Sequence, residues 1–209
     1  PIRQELGDDS PVFIGGQDLH TEKGGAFTGA ISGSILRSAG ATHVIVGHSE
    51  RRRKFNEDNQ IVGRKLARAL NDRLIPVLCI GETIEERESG RTEEVVEEQL
   101  RSAWEGHEVT GGAIIAYEPV WAIGTGKNAN PDDVQEMCSF IRSWLSKFFT
   151  SETAATMRIL YGGSVEPSNI ANYANLPDVD GALVGGASLD PDKFLAICLG
   201  IASKVEVRS

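Results

Sequence analysis

Short, nearly unbroken apolar runs recur along the chain at 12–16, 43–47, 75–80, 113–117, 158–161 and 181–184. They are apolar at consecutive positions, the pattern of parallel strands covered on both faces. Between them, apolar residues return every three or four positions. Val62, Leu66, Ala69 and Leu70 do so, as do Val96, Leu100, Ala103 and Trp104. The clearest helix is predicted over 130–149. Asn130 can cap it, Pro131 suits its first position, and Asp132 and Asp133 favour its positive end. Val134, Met137, Cys138, Ile141, Leu145 and Phe148 then fall on one face. Strand and helix alternating six times predict an α/β domain with a parallel sheet.

The strand ends choose between an open sheet and a closed barrel. An open dinucleotide-binding sheet needs a G-x-G-x-x-G fingerprint after a strand, and none follows these. Instead the runs end in Gln17-Asp18, Gly47-His48-Ser49-Glu50, Gly81-Glu82, Glu118-Pro119, Gly162-Gly163-Ser164 and Gly185-Gly186. Polar and glycine-rich groups at the carboxyl ends of many strands are the signature of a (β/α)8 barrel. With no linker or low-complexity stretch, residues 1–209 are expected to form one barrel domain. Eight units and about 250 residues are typical of that fold, so only about six are present and the domain is expected to be N-terminally incomplete.

Composition narrows the function. The chain carries 40% hydrophobic and 24% charged residues and a formal net charge of −9. That charge argues against nucleic acid as a partner. No apolar run approaches the ~20 residues of a membrane span, and residues 1–5 are not expected to be a signal peptide, since no apolar stretch follows them. Cys79, Cys138 and Cys198 are far apart within apolar runs, and buried reduced thiols in a cytoplasmic protein are expected. An acidic chain that binds an anion must do so locally, through backbone N–H groups.

Four stretches carry candidate chemistry. In 116–127, Glu118 stands at a strand end, followed by the stiff Pro119 and Trp121 and then Gly124 and Gly126, the makings of a lid that excludes water. In 43–52, a strand delivers His48 to a helix expected to begin near Ser49. There the helix dipole disfavours imidazolium and leaves a neutral hydrogen-bond donor. The stretches 160–165 and 182–189 each end a strand in paired glycines, whose missing Cβ atoms let N–H groups converge on an oxyanion. No metal-ligand spacing appears. His20, His43 and His107 are expected to be structural, and the acidic pairs at 85–86, 93–94 and 97–98 to be solvated helix faces.

Together these stretches resemble the triosephosphate isomerase family, and the resemblance runs through essentially the whole chain. Gln17-Asp18, the loop 24–29 and Cys79-Ile80-Gly81-Glu82 share it. It implies a TIM (β/α)8 barrel that interconverts glyceraldehyde 3-phosphate and dihydroxyacetone phosphate through an enediol(ate), in glycolysis and gluconeogenesis, without cofactor or metal. Glu118 would be the base, His48 the neutral electrophile, and Glu50 a carboxylate beside the site. Backbone N–H groups of Gly124, Ser164, Gly185 and Gly186 would hold the phosphate, and 119–127 would be the lid. Thr28 would reach into the partner of a cytoplasmic homodimer.

Two departures stand out. No counterpart exists of the family's Asn-x-Lys motif at the first strand end, so the natural protein is expected to be longer. The missing lysine makes a catalytically impaired phosphate-binding fragment the alternative reading. The lid also runs into Lys127-Asn128-Ala129, where the family more often has Thr after the lysine. A sugar-phosphate epimerase or synthase barrel is the remaining rival.

Overall fold

The computed structural model describes residues 1–7, 9–106, 112–123 and 128–208, with residues 203–208 described through their backbone only. In chain order the elements are α1 (Ile2–Leu6), β1 (Gly15–Gly16), α2 (Gly33–Ser38), β2 (His43–Val46), α3 (Ser49–Phe55), α4 (Asn59–Asn71), β3 (Ile75–Ile80), α5 (Ile84–Glu88) and α6 (Thr92–Trp104). They continue with β4 (Ile114–Tyr117), α7 (Pro131–Phe148), α8 (Ser151–Thr156), β5 (Ile159–Tyr161), α9 (Ile170–Ala174), β6 (Gly181–Ala182) and α10 (Pro191–Arg208). Two compact units result: Pro1–Cys79 with Gln99–Ile114, and Ile80–Glu98 with Ile115–Ser209.

In the first unit β1 pairs in parallel with β2, and β2 with β3. Five consecutive residues of β3, Pro76 to Ile80, are buried, as the unbroken apolar run requires of a strand covered on both faces. Asp58 caps α4 by accepting from the Ile61 N–H, and the helix buries Val62, Leu66 and Ala69, while Leu70 is only half-buried. Beneath the strand ends lies a buried ionic cluster. The Glu57 carboxylate accepts from Arg51 and from Lys65 at 2.7 Å, and both cations also reach Asp18. Burial pushes the Glu57 carboxyl up, but the hydrogen bonds and charges of Lys65 and Arg51 outweigh it and hold the pKa below its ordinary value.

The expected strand over 12–16 shortens to Gly15–Gly16, because only those residues come into register with His43 and Val44. Val12 and Phe13 stay exposed, the Phe13 ring resting 5.3 Å from that of His43.

In the second unit β4 pairs in parallel with β5 and β5 with β6. Helix α7 forms as the sequence dictates. The Asn130 side chain accepts from the Asp132 N–H, Pro131 sits in the first turn, and Val134, Met137, Cys138, Ile141, Trp144 and Leu145 are buried. Each large apolar side chain so buried contributes about 1.5–3 kcal/mol. Phe148 lies partly exposed against the Trp144 ring at 4.6 Å instead of in the core. Arg142 of the same helix ties the strand starts together, donating to the Met157 carbonyl and to Asp180 at 2.7 Å each.

The thiols divide. Cys79 and Cys138 are buried, and burial pushes Cys138 up to about 12, so it stays an inert thiol. Cys198 corrects the expectation of three buried cysteines. It is exposed on α10, where Phe194, Leu195 and Leu199 are exposed as well.

Candidate functional site

Each unit directs its strands' carboxyl ends to one side, and the candidate residues stand there. In the first unit Gly47 follows β2, and its φ of +73° makes a left-handed turn. A Cβ at that position would meet Val62 at 2.8 Å and the Cys79 carbonyl at 3.2 Å, so glycine is required by conformation and by space. The turn delivers His48 to the N-cap of α3, where its Nδ1 accepts from the Glu50 N–H at 3.2 Å. An Nδ1 that accepts places the neutral ring's proton on Nε2. Arg52 clamps this corner, donating to the Gly47 carbonyl at 2.8 Å and to Asn59 at 2.7 Å. The Glu50 carboxylate is exposed and pairs with Lys54 at 3.3 Å, so Glu50 meets His48 through its backbone. Arg51 and Lys54 are thus spent on ion pairs.

In the second unit Glu118 directly follows β4. It is 2% exposed, and its N–H donates to the Ile80 carbonyl at 2.7 Å. Glycines flank it closely: a Cβ on Gly81 would lie 1.7 Å from the Glu118 carbonyl oxygen, and one on Gly162 would lie 2.9 Å from its Cγ. A charged side chain this buried is rare without a purpose or a partner. The following residues turn through a short 3-10 segment, Val120–Ala122. There Glu82, fully buried, accepts from Trp121 Nε1 at 2.7 Å and from the Tyr117 hydroxyl at 3.1 and 3.2 Å. Burial pushes the Glu82 carboxyl up against these hydrogen bonds, and burial together with the Glu82 charge holds the Tyr117 phenol far above its ordinary range, always a donor. Arg87 lies over the Trp121 ring at 4.7 Å and pairs with Asp133 at the start of α7.

The loops after β5 and β6 leave adjacent parallel strands on the same side as Glu118. Gly163 is dictated by packing, since a Cβ there would strike the Tyr161 hydroxyl at 2.2 Å. Gly185 and Gly186 differ. Neither has a positive φ, and a Cβ on either meets nothing within 4 Å, so the space above them is open to an approaching group. They open the short 3-10 turn Gly186–Leu189, closed by the Ser188 hydroxyl donating to the Gly185 carbonyl at 2.7 Å.

Of the sequence-derived candidates, Glu118, Ser164, Gly185 and Gly186 gather at one end of the second unit, and His48 with Glu50 occupies the strand end of the first. Gly124 lies outside the described residues, as do 125–127 of the expected lid and His107. Thr28 sits in an exposed loop, braced by the His20 N–H donating to the Ile31 carbonyl at 2.8 Å and by the His20 and Phe27 rings 4.2 Å apart. His20 and His43 act structurally, as expected, with His43 Nδ1 2.8 Å from the Thr42 hydroxyl. Of the acidic pairs, Glu86 does more than face water, because it closes a capping box with Thr83.

Sequence reasoning placed Glu82 at a strand end without giving it a role, and it missed Asn169 and the Glu57–Lys65 pair. For Glu82 a signal existed, since Tyr117 and Trp121 are aromatic residues whose buried donors need an acceptor nearby.

A family model described as triosephosphate isomerase matches residues 1–201 of this chain. A triosephosphate isomerase of Symbiobacterium thermophilum is 51% identical over 193 residues, covering 91% of this chain and 75% of that protein. One of Moorella thermoacetica is 53% identical over 191 residues, covering 90% and 76%. The crystal structure of triosephosphate isomerase from Bartonella henselae superposes with a TM-score of 0.87 at 40% identity, covering 95% of this chain and 80% of that one. The fold class is accordingly that of the TIM (β/α)8 barrel, represented by six strand–helix units.

Proposed function

Given that the chain belongs to the triosephosphate isomerase family, we propose that Glu118 is its catalytic base and His48 its neutral acid. The enzyme is an isomerase interconverting glyceraldehyde 3-phosphate and dihydroxyacetone phosphate, a reaction of glycolysis. These matches favour neither the impaired-fragment reading nor another sugar-phosphate barrel.

Glu118 takes a proton from the carbon beside the carbonyl while His48 Nε2–H hydrogen-bonds the oxygen that gains charge, forming the enediol(ate). The proton then returns to the neighbouring carbon, so the reaction is redox-neutral and needs no electron carrier. A neutral imidazole at a helix N-terminus in this role is well described for this family. Glu50 contributes its N–H, which fixes the His48 tautomer. The N–H groups of Ser164, Gly185 and Gly186, with Gly124, hold the phosphate. Residues 119–127 serve as the lid, and Glu82 bonded to Trp121 anchors its first turn.

The homodimer through the Thr28 loop and the cytoplasmic setting belong to the same proposal. The loop's exposure supports the first, and three free cysteines support the second. No described helix is long and apolar enough to cross a membrane.

The observation that carries the proposal is a 2%-exposed glutamate at a strand end shared with two glycine loops. Glu118→Gln tests it. Inorganic phosphate should bind within about twofold of the unaltered enzyme, while turnover in a coupled assay falls by roughly 10³-fold or more. Equal loss of both would remove Glu118 from the role of base.

A further inference from the structure

We infer that Asn169 is a positioning residue for the phosphate grip, holding the loop after β5 in the form that receives an anion. The inference rests on the assignment of Ser164 to the phosphate site and adds a residue that never touches substrate. Asn169 is 8% exposed, and a carboxamide so buried is costly unless its donors and acceptor are used. All are used on one loop and one neighbour. Its Oδ1 accepts from the Glu166 N–H at 2.9 Å, and its Nδ2 donates to the Ser164 carbonyl at 3.0 Å and lies 3.5 Å from Asn128 Oδ1. The Asn169 N–H returns a bond to the Glu166 carbonyl at 3.1 Å, so residues 166 and 169 close a turn reciprocally.

The geometry explains why this matters for an anion. A peptide unit is planar, with C=O and N–H on opposite sides. The Ser164 carbonyl shares its peptide plane with the Val165 N–H, so pinning that carbonyl toward Asn169 fixes the rotation about the Ser164 Cα–C bond and points the Val165 N–H the opposite way. A loop beginning Gly162-Gly163-Ser164 has the freedom to turn that N–H elsewhere, and Asn169 removes it. One turn further along, the Tyr173 hydroxyl donates to the Ala129 carbonyl at 2.8 Å while its ring stacks 4.1 Å from that of Tyr161. The start of α9 thus bonds both the phosphate loop and residues 128–129 that lead into α7. An array of N–H groups fixed beforehand binds an anion without an ordering cost at the moment of binding.

The test measures competitive inhibition by inorganic phosphate, with KM, kcat and thermal midpoint, in Asn169→Ala and Asn169→Asp. Asp keeps the size and the acceptor for the Glu166 N–H but cannot donate to the Ser164 carbonyl. Both variants should bind phosphate roughly tenfold more weakly, with KM for the triose phosphate rising in step and kcat falling much less. A turn-stabilising role alone predicts instead a lower thermal midpoint with phosphate inhibition preserved in Asn169→Ala, the variant that adds no charge near the anion. Full inhibition by phosphate in both variants, whatever their thermal midpoints, overturns the inference and leaves the phosphate site standing. An unaltered enzyme insensitive to phosphate overturns the site itself and the inference with it.

Discussion

Gly81→Ala puts one methyl group where the structure has no room for it. The added Cβ falls 1.7 Å from the Glu118 carbonyl oxygen and 2.6 Å from its carbonyl carbon, both backbone atoms that cannot swing aside. Restoring van der Waals contact requires the Glu118 main chain to retreat by roughly 1.5 Å. That retreat works against the 2.7 Å bond from the Glu118 N–H to the Ile80 carbonyl. Overpacking of this kind costs about 1–3 kcal/mol, and in a chain of this size each kcal/mol lowers the thermal midpoint by roughly 2–4 °C. The larger effect should be catalytic, because displacing a reacting group by about 1 Å commonly costs around 100-fold. A coupled isomerase assay well below the melting temperature, with phosphate inhibition measured alongside, separates the two effects. The expected result is kcat reduced about 100-fold or more with phosphate inhibition nearly intact. A folded Gly81→Ala enzyme with kcat within twofold of the original would refute the claim that the Glu118 backbone position matters.

Gly186→Ala makes the opposite prediction about stability. Its Cβ meets nothing within 4 Å, so the thermal midpoint should not move, yet KM and the phosphate inhibition constant should rise by roughly tenfold as the methyl intrudes on the anion. An unchanged KM would place the phosphate elsewhere. Glu57→Gln should destabilise by on the order of 3 kcal/mol near pH 7 by uncoupling Lys65 and Arg51. The Glu57 pKa is lowered on folding, so its stabilisation is complete above the ordinary value of 4.5 and is lost as pH falls through the lower folded value. Denaturant midpoints of the two proteins should therefore converge as the pH falls below 4.5. A constant gap across that range would exclude the ionic cluster as its source.

What the sequence made legible was periodicity and punctuation. The cap of α7 and the unbroken run of β3 were readable because each rests on contacts within a few residues. The strand ends bearing His48 and Glu118 were readable because glycine and proline mark turns by their own stereochemistry. The shortening of β1 was not, since strand length depends on which residues of β2 come into register. The burial of Glu82 and of Asn169 was hidden for a related reason. A lone Glu or Asn is ordinarily a surface residue, and its burial is decided by partners such as Trp121, 39 positions away, or Asn128, 41 positions away. Cys198 misled in the other direction, because an apolar helix face looks the same in sequence whether or not something covers it.

Catalysis as proposed turns on Glu118 as the group that moves the proton. Incubating dihydroxyacetone phosphate in deuterated water with the unaltered enzyme and with Glu118→Gln, and following deuterium at the exchanging carbon by NMR, measures that step apart from product release. The variant should lose exchange and isomerisation together, by roughly 10³-fold or more. Deuterium incorporation at the original rate in Glu118→Gln would show that another group takes the proton.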